Sequence, residues 1–264
     1  MRVALGISYI GTTYKGWQSQ PNVLTIQDKL ESALADFTQT TISTLCAGRT
    51  DAGVHALMQV VHFDTQVDRK IISWVRGINS YLPKDIAVQW ARIVPPEFHC
   101  RACALTRRYV YVVLESVVRP SIEARRVGWV YQALDEARMK SAAEKLIGEH
   151  DFSSFRAAEC QALTPVKTMK RIEITCRGEP LQRYWRFEFE ANAFLHHMIR
   201  NIMGCLLMVG DGRRSPDWIL EVLARKDRDY AAPTFSPDGL YFLGPTYAPE
   251  WDIPQRTAGF NWLP

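Results

Sequence analysis

No run of apolar residues in this chain is long enough to cross a membrane as a helix. The N-terminal Met1-Arg2-Val3-Ala4-Leu5-Gly6-Ile7 has neither a long apolar core nor a small-residue cleavage site. A signal peptide is therefore not expected, and the cytoplasm is the expected compartment. Cysteine is sparse and scattered, at 46, 100, 103, 160, 176 and 205, which argues against a disulfide framework. Cys100-Arg101-Ala102-Cys103 has CxxC spacing, but no second pair completes a zinc site. The adjacent His196-His197 would point about 100° apart on a helix and would not easily share one metal. Phosphate-binding glycine motifs are missing too: Gly204, Gly210 and Gly212 are not followed by Gly-Lys-Ser/Thr. Nor does charge of one sign prevail. With 32 basic against 28 acidic residues the net charge is +4, so a nucleic-acid surface has to be sought in local clusters.

What is present is an ordinary globular composition, 47% hydrophobic and 23% charged over 264 residues, enough for one large domain or two of common size. Arg2 to Tyr9 reads as a strand. Thr25 to Phe37 carries apolar residues at helical spacing, with Thr25 as N-cap. Thr41 to Cys46 and Gln59 to Phe63 read as strands, Ile71 to Tyr81 as a helix and Ile86 to Val94 as a strand. That order, strand-helix-strand-strand-helix-strand, is a ferredoxin-like half. The order returns loosely in strands Arg107 to Leu114, Val166 to Cys176, Tyr184 to Ala191 and Leu240 to Tyr247, with helices Asp135 to Ile147 and Leu195 to Val209. A further helix, Pro216 to Leu223, precedes the closing strand, with Pro216 suited to its first turn. The expected fold is α+β, with an N-terminal half over residues 1–94, a C-terminal half with insertions over 95–248 and an irregular tail over 249–264. The repeat is one of pattern, not of sequence.

Between two of these strands lies Cys46-Ala47-Gly48-Arg49-Thr50-Asp51-Ala52-Gly53-Val54-His55-Ala56. An isolated G-x-T-D-x-G would be a Gly-rich turn with a capping Asp. The longer string, with Arg two residues before the Asp and His four after it, resembles the signature of the tRNA pseudouridine synthase A (TruA) family. Asn192 to Gly204 resembles a second element of that family, and Phe152-Ser153-Ser154-Phe155-Arg156 a third. The likeness runs from Ala4 to Tyr247. It implies that the antiparallel and mixed sheets of the two halves join into one broad central sheet flanked by helices. It further implies that the working unit is a homodimer.

By this resemblance Asp51 is the catalytic carboxylate. Arg49, two residues away, points the same way in an extended chain, so a pair with Asp51 is allowed but not required. On a helix His196, Arg200, Met203 and Gly204 share a face, and a small residue at Gly204 lets a neighbouring backbone approach. The resemblance then favours Arg200 as the cation that keeps Asp51 charged, a task for which a permanently protonated, two-pronged guanidinium is suited. Tyr109 and Tyr111 share a strand face with Arg107. The resemblance selects Tyr109 to stack on a flipped-out base and leaves Tyr111 to packing. Arg69, Arg101, Arg107 and Arg108 are candidate phosphate contacts, and Arg125-Arg126, Lys167-Lys170-Arg171 and Arg213-Arg214 add basic clusters. Where the family carries Ala, an aromatic and Ser, this chain has Cys100, Ala102 and Cys103, which keeps Arg101 in place but alters its surroundings.

The implied activity is isomerisation of uridine to pseudouridine in tRNA, at positions 38, 39 and 40 of the anticodon stem-loop. The reaction has no net redox change, so no cofactor and no metal are expected. A base in a stem must be flipped out first, and Arg49 is suited to hold the vacated space. Asp51 then attacks the sugar, attacks the uracil, or removes a sugar proton; the residues do not choose among these routes. The competing expectation is a non-catalytic RNA-binding protein built from two ferredoxin-like sheets. It would need the aromatics and the basic clusters but not Asp51.

Overall fold

A computed structural model describes residues 1–255, so the last part of the expected tail lies outside the described residues. Ten strands and five α-helices are described. The chain divides into two compact units. The first is Met1–Arg107 together with the described residues from Tyr241 onward, and the second is Arg108–Leu240. Most of the closing strand counts with the first unit in this division.

In the first unit the order is β1 (Arg2–Tyr9), α1 (Ile26–Thr38), β2 (Leu45–Cys46), β3 (His55–Asp64), α2 (Ile71–Tyr81) and β4 (Ile86–Val94). β1 lies between β4 and β3, antiparallel to both, and β2 pairs with the far side of β3. The half is ferredoxin-like, as expected. Thr25 caps α1, its hydroxyl accepting the Asp28 N–H at 3.3 Å. Alternation sends the side chains of Val3, Leu5, Val61 and Phe63 to one face of β1 and β3. Phe63 meets Trp74 of α2 there, and Trp74 also packs on Phe37 of α1. The opposite face carries Ala4 and Val60 into a second apolar cluster with Val94, Phe98, Cys100 and Tyr247. β10 (Leu240–Tyr247) runs parallel to β3, with Tyr241 opposite His55.

The second unit takes in most of β5 (Ala104–Ser116), then β6 (Gly128–Val130), α3 (Glu136–Glu144), β7 (Gly148–Asp151), β8 (Val166–Glu179), β9 (Gln182–Ala191), α4 (Met198–Gly210) and α5 (Trp218–Arg225). Its sheet runs β5-β9-β8-β7, with β6 parallel to β5. β8 and β9 form a long hairpin that turns after Gly178, where the chain goes left-handed. Glu115 on β5 is fully buried and serves as a junction: its carboxylate accepts the backbone N–H of Leu134 and Leu181 and the indole N–H of Trp185.

Helix α4 begins at Met198, three residues later than its periodicity predicts. His197 takes φ 61, which ends any helix running through it. Upstream, the backbone makes bonds elsewhere: the Asn192 side chain accepts from Thr168 N and Ala193 N, and His196 O accepts from Ala157 N. The expectation that His196 and His197 diverge on a helix is therefore corrected. Neither is helical, and their ring centroids are 4.0 Å apart.

Candidate active site

The signature segment is an extended loop between β2 and β3, and the first unit holds it from several sides. The last backbone bond from β3 toward β2 reaches Ala47, whose N–H donates to Val60 O at 2.8 Å. Gly48 is then gripped by the Gln59 side chain: its N–H donates to Oε1 at 3.3 Å, and its carbonyl accepts from Nε2. Thr50 is buried, its hydroxyl 2.7 Å from the Tyr9 hydroxyl and its carbonyl accepting the Trp17 N–H at 3.0 Å. Gly53 N donates to Tyr14 O, and Val54 N closes a turn on Asp51 O. His55 is buried; its Nδ1 accepts the Gly11 N–H at 3.0 Å, and its ring stacks on Tyr241 at 4.6 Å.

The polar loop of residues 11–17 therefore packs directly on the signature. At Gly16, φ is +92 and an added Cβ would lie 2.6 Å from Thr50 O, so any side chain would push the two loops apart. Within this frame Arg49 is exposed and Asp51 half-buried.

The other sequence candidates are placed as follows. Arg69 is exposed at the start of α2. Arg101 is exposed, with one guanidinium nitrogen 4.0 Å from Cys46 Sγ. Arg107 is half-buried and donates to the carbonyls of Ala104, Arg101 and Ala47 at 3.2, 2.6 and 3.5 Å, so it braces the backbone of Arg101. Arg108 is half-buried. Tyr109 is 8% exposed and packs edge-on against Phe194, ring centroids 5.2 Å apart, which fixes its ring plane. Tyr111 is fully buried, its hydroxyl donating to Ser236 O. On α4, Arg200 donates from Nε to Phe235 O at 2.9 Å. The backbone comes close at Gly204, as expected: an added Cβ would sit 2.3 Å from Pro233 O.

Several expected basic clusters are committed elsewhere. The Lys167 ammonium is buried and donates to Thr164 O and Val166 O, and burial depresses its pKa. Arg171 pairs with Glu173, and Arg213 with Asp211. Phe152 and Phe155 are fully buried packing residues.

Among the described residues of the first unit, His62, His99 and Cys100 bring one ligand atom each within 4.8 Å of one another. The CxxC spacing of Cys100 and Cys103 gave no zinc site, and nothing in the spacing brought the two histidines to Cys100. The hydrogen bonds favour a metal-free role. His62 Nδ1 accepts the Cys100 N–H at 3.4 Å, and His99 Nδ1 accepts those of Arg101 and Ala102 at 3.2 and 3.3 Å. A neutral ring that accepts through Nδ1 carries its proton on Nε2, which leaves no lone pair for an ion. Burial, then the neighbouring His99 and Arg2, push the His62 pKa down to about 4, with Asp64 opposing. Burial pushes the Cys100 thiol up to about 12.

Comparison with known proteins decides the affiliation. A family model described as tRNA pseudouridine synthase matches residues 6–101 and 142–248. The chain belongs to the tRNA pseudouridine synthase family. A tRNA pseudouridine synthase A of Polaromonas naphthalenivorans (strain CJ2) is 67% identical over 264 residues, covering all of both chains. Proteins of the same name from Polaromonas sp. (strain JS666 / ATCC BAA-500) and Paracidovorax citrulli (strain AAC00-1) are 66% and 63% identical, again over the whole of each chain. For a synthase of this family, the grips on the signature loop are the part that sequence reading missed. Gln59 gave the one available signal, an amide inside the apolar run Leu57-Met58-Gln59-Val60-Val61.

Proposed function

We propose that this chain isomerises uridine to pseudouridine at positions 38, 39 and 40 of the tRNA anticodon stem-loop, in the cytoplasm and as a homodimer. The observation that carries the reading is full-length similarity to proteins named tRNA pseudouridine synthase A. In the reaction the bond from sugar C1′ to uracil N1 breaks, the base turns, and C1′ bonds to C5. The C5 proton leaves and N1 gains one, so atoms and electrons balance without a cofactor.

Asp51 is the catalytic carboxylate in this reading and Arg200 the cation that keeps it charged. Arg is suited to that task because it stays protonated and can meet both oxygens. Tyr109 offers a ring to the extruded base; its fixed ring plane supports this, because a preset stacking partner loses little freedom on binding. Arg49, exposed and two residues from Asp51, occupies the space the base leaves. Arg69 and Arg101, both exposed, contact phosphates, with Arg107 and Arg108 completing the set. The grip of Arg107 on the Arg101 carbonyl supports a fixed position for that contact.

The test is tritium release from tRNA labelled at uridine C5. Release that depends on the protein supports carbon-to-carbon transfer. Tight binding of the same tRNA without release would leave a non-catalytic RNA-binding protein and overturn the proposal.

A further inference from the structure

We propose that Gln59, with Tyr9, is a positioning residue for the catalytic loop: its side chain takes the place of a missing strand partner and thereby sets where Asp51 stands. The inference rests on the function proposed above. It starts from a residue in the wrong company. Gln59 is 0% exposed on β3, flanked by Leu57, Met58, Val60 and Val61. An apolar side chain would suit such a position, since a buried amide is costly unless every polar atom is bonded.

What the amide bonds explains its presence. Backbone pairing between β2 and β3 ends at Cys46 opposite Val61, and one further bond reaches Ala47. At Gly48 the chain leaves the ladder. There the Gln59 amide accepts from Gly48 N–H and donates to Gly48 O, the two bonds that a neighbouring strand would make. The hold of β3 on the chain is extended by one residue without pulling the loop into the sheet. Two residues on, the Tyr9 hydroxyl takes Thr50 at 2.7 Å. Gly48 and Thr50 are thus each held by a buried side chain, with the exposed Arg49 between them and Asp51 next in the chain.

A nucleophile or base misplaced by about 1 Å loses on the order of 100-fold in rate while substrate contacts elsewhere persist. Gln59→Leu is therefore expected to lower kcat by about 10–100-fold, with tRNA affinity and KM within about threefold. Tyr9→Phe, which removes one oxygen, is expected to lower kcat about tenfold in the same manner. Gln59→Glu gives a signature that general loosening would not. Its carboxylate can still accept from Gly48 N–H but cannot donate to Gly48 O, and burial beside a carbonyl raises its pKa. Its kcat relative to the parent should rise as pH falls, because the introduced carboxyl regains a proton to donate. Gln59→Leu should show no such rescue. The Cys46 thiol and Tyr9 phenol near this site both have pKa values raised by burial, so neither gains charge over that range.

The experiment is steady-state and single-turnover tritium release, with tRNA binding, for the parent and the three variants across pH, with a thermal midpoint for each. Lower kcat in Gln59→Glu and Tyr9→Phe, unchanged KM and acid rescue of Gln59→Glu alone support the proposal, even if Gln59→Leu fails to fold. Parent kcat in Gln59→Glu and Tyr9→Phe, a loss confined to KM, or parallel pH profiles would overturn it. A parent protein that binds tRNA but releases no tritium would instead overturn the function on which it rests.

Discussion

Arg200 and Phe235 are bonded to each other twice. The Arg200 Nε–H donates to the Phe235 carbonyl at 2.9 Å, and the Phe235 N–H donates to the Arg200 carbonyl at 3.1 Å. The pair ties the first turns of α4 to the segment before β10, and it fixes the plane of the guanidinium by its innermost nitrogen. Beside it, Asn201 is fully buried and accepts from Arg228 and Thr234 at 3.0 and 2.7 Å. The same residue donates to Phe155 O at 2.9 Å.

This geometry predicts that Arg200→Lys will not be conservative. A lysine ammonium is a single point of charge on a flexible stem and cannot hold the Phe235 carbonyl while also presenting a planar fork. If Arg200 steadies Asp51, Arg200→Lys should lose about two orders of magnitude in single-turnover rate, with little change in thermal midpoint. Near-parent turnover in this variant would remove Arg200 from the site.

Asp51→Asn should abolish turnover and leave tRNA affinity within a few fold. Asparagine keeps the shape but is neither a strong base nor a nucleophile, and binding should rest on phosphate contacts remote from it. The check is single-turnover chemistry beside a filter-binding titration. Substantial residual turnover would show that another group does the chemistry.

Affinity for tRNA should fall steeply with salt. Each neutralised phosphate contributes roughly 0.7–0.9 to the log–log slope, so Arg69→Ala and Arg101→Ala should each reduce it by about one contact. The sites taken out of the basic surface, Lys167, Arg171 and Arg213, should have no such effect. Equal slopes in all variants would mean that the exposed arginines are solvated surface.

Acid should destabilise the fold through His62. Its pKa lies near 4 in the folded chain, below the ordinary 6.5, because burial disfavours the charged ring. As pH falls below 6.5 the unfolded chain takes up this proton first, so stability is full above that value and declines down to about 4. His62→Gln, which can still accept from Cys100 N–H, should flatten this decline in urea midpoints measured across the window. Parallel curves for the parent and the variant would assign the acid sensitivity to other groups.

The elements legible in the sequence are those whose pattern is local. α2 is Ile71–Tyr81 as its spacing predicts, and β4 and the extent of β10 are also as read. Elements set by distant partners were not legible. β7, Gly-Glu-His-Asp, has no strand pattern and exists because it pairs with Val166–Met169 at a sheet edge. β6 is three residues held parallel to β5. The allocation of most of β10 to the first unit follows its pairing with His55 and Ala56, which no local periodicity reports. In the site, the signature itself was readable as a string. The grips of Gln59, Tyr9 and Trp17 on that string were not, because each depends on a contact across the fold.

Arg49 and Asp51 sit two residues apart on this gripped loop, yet they should fail differently. Arg49 is exposed, whereas Asp51 is half-buried, so the loop presents one outward and holds the other closer to the protein. If Arg49 fills the space of an extruded base, Arg49→Ala should lose most activity on a uridine paired in the stem. Its defect should shrink when the same uridine is mismatched, since the pairing cost, a few kcal/mol, no longer has to be met. Asp51→Asn should be inactive on both substrates, because its loss lies in bond making and breaking. Single-turnover rates on matched and mismatched stem-loops separate the two. Equal Arg49→Ala defects on both substrates would overturn the flipping role and make Arg49 a direct partner of the Asp51 carboxylate, the part assigned above to Arg200.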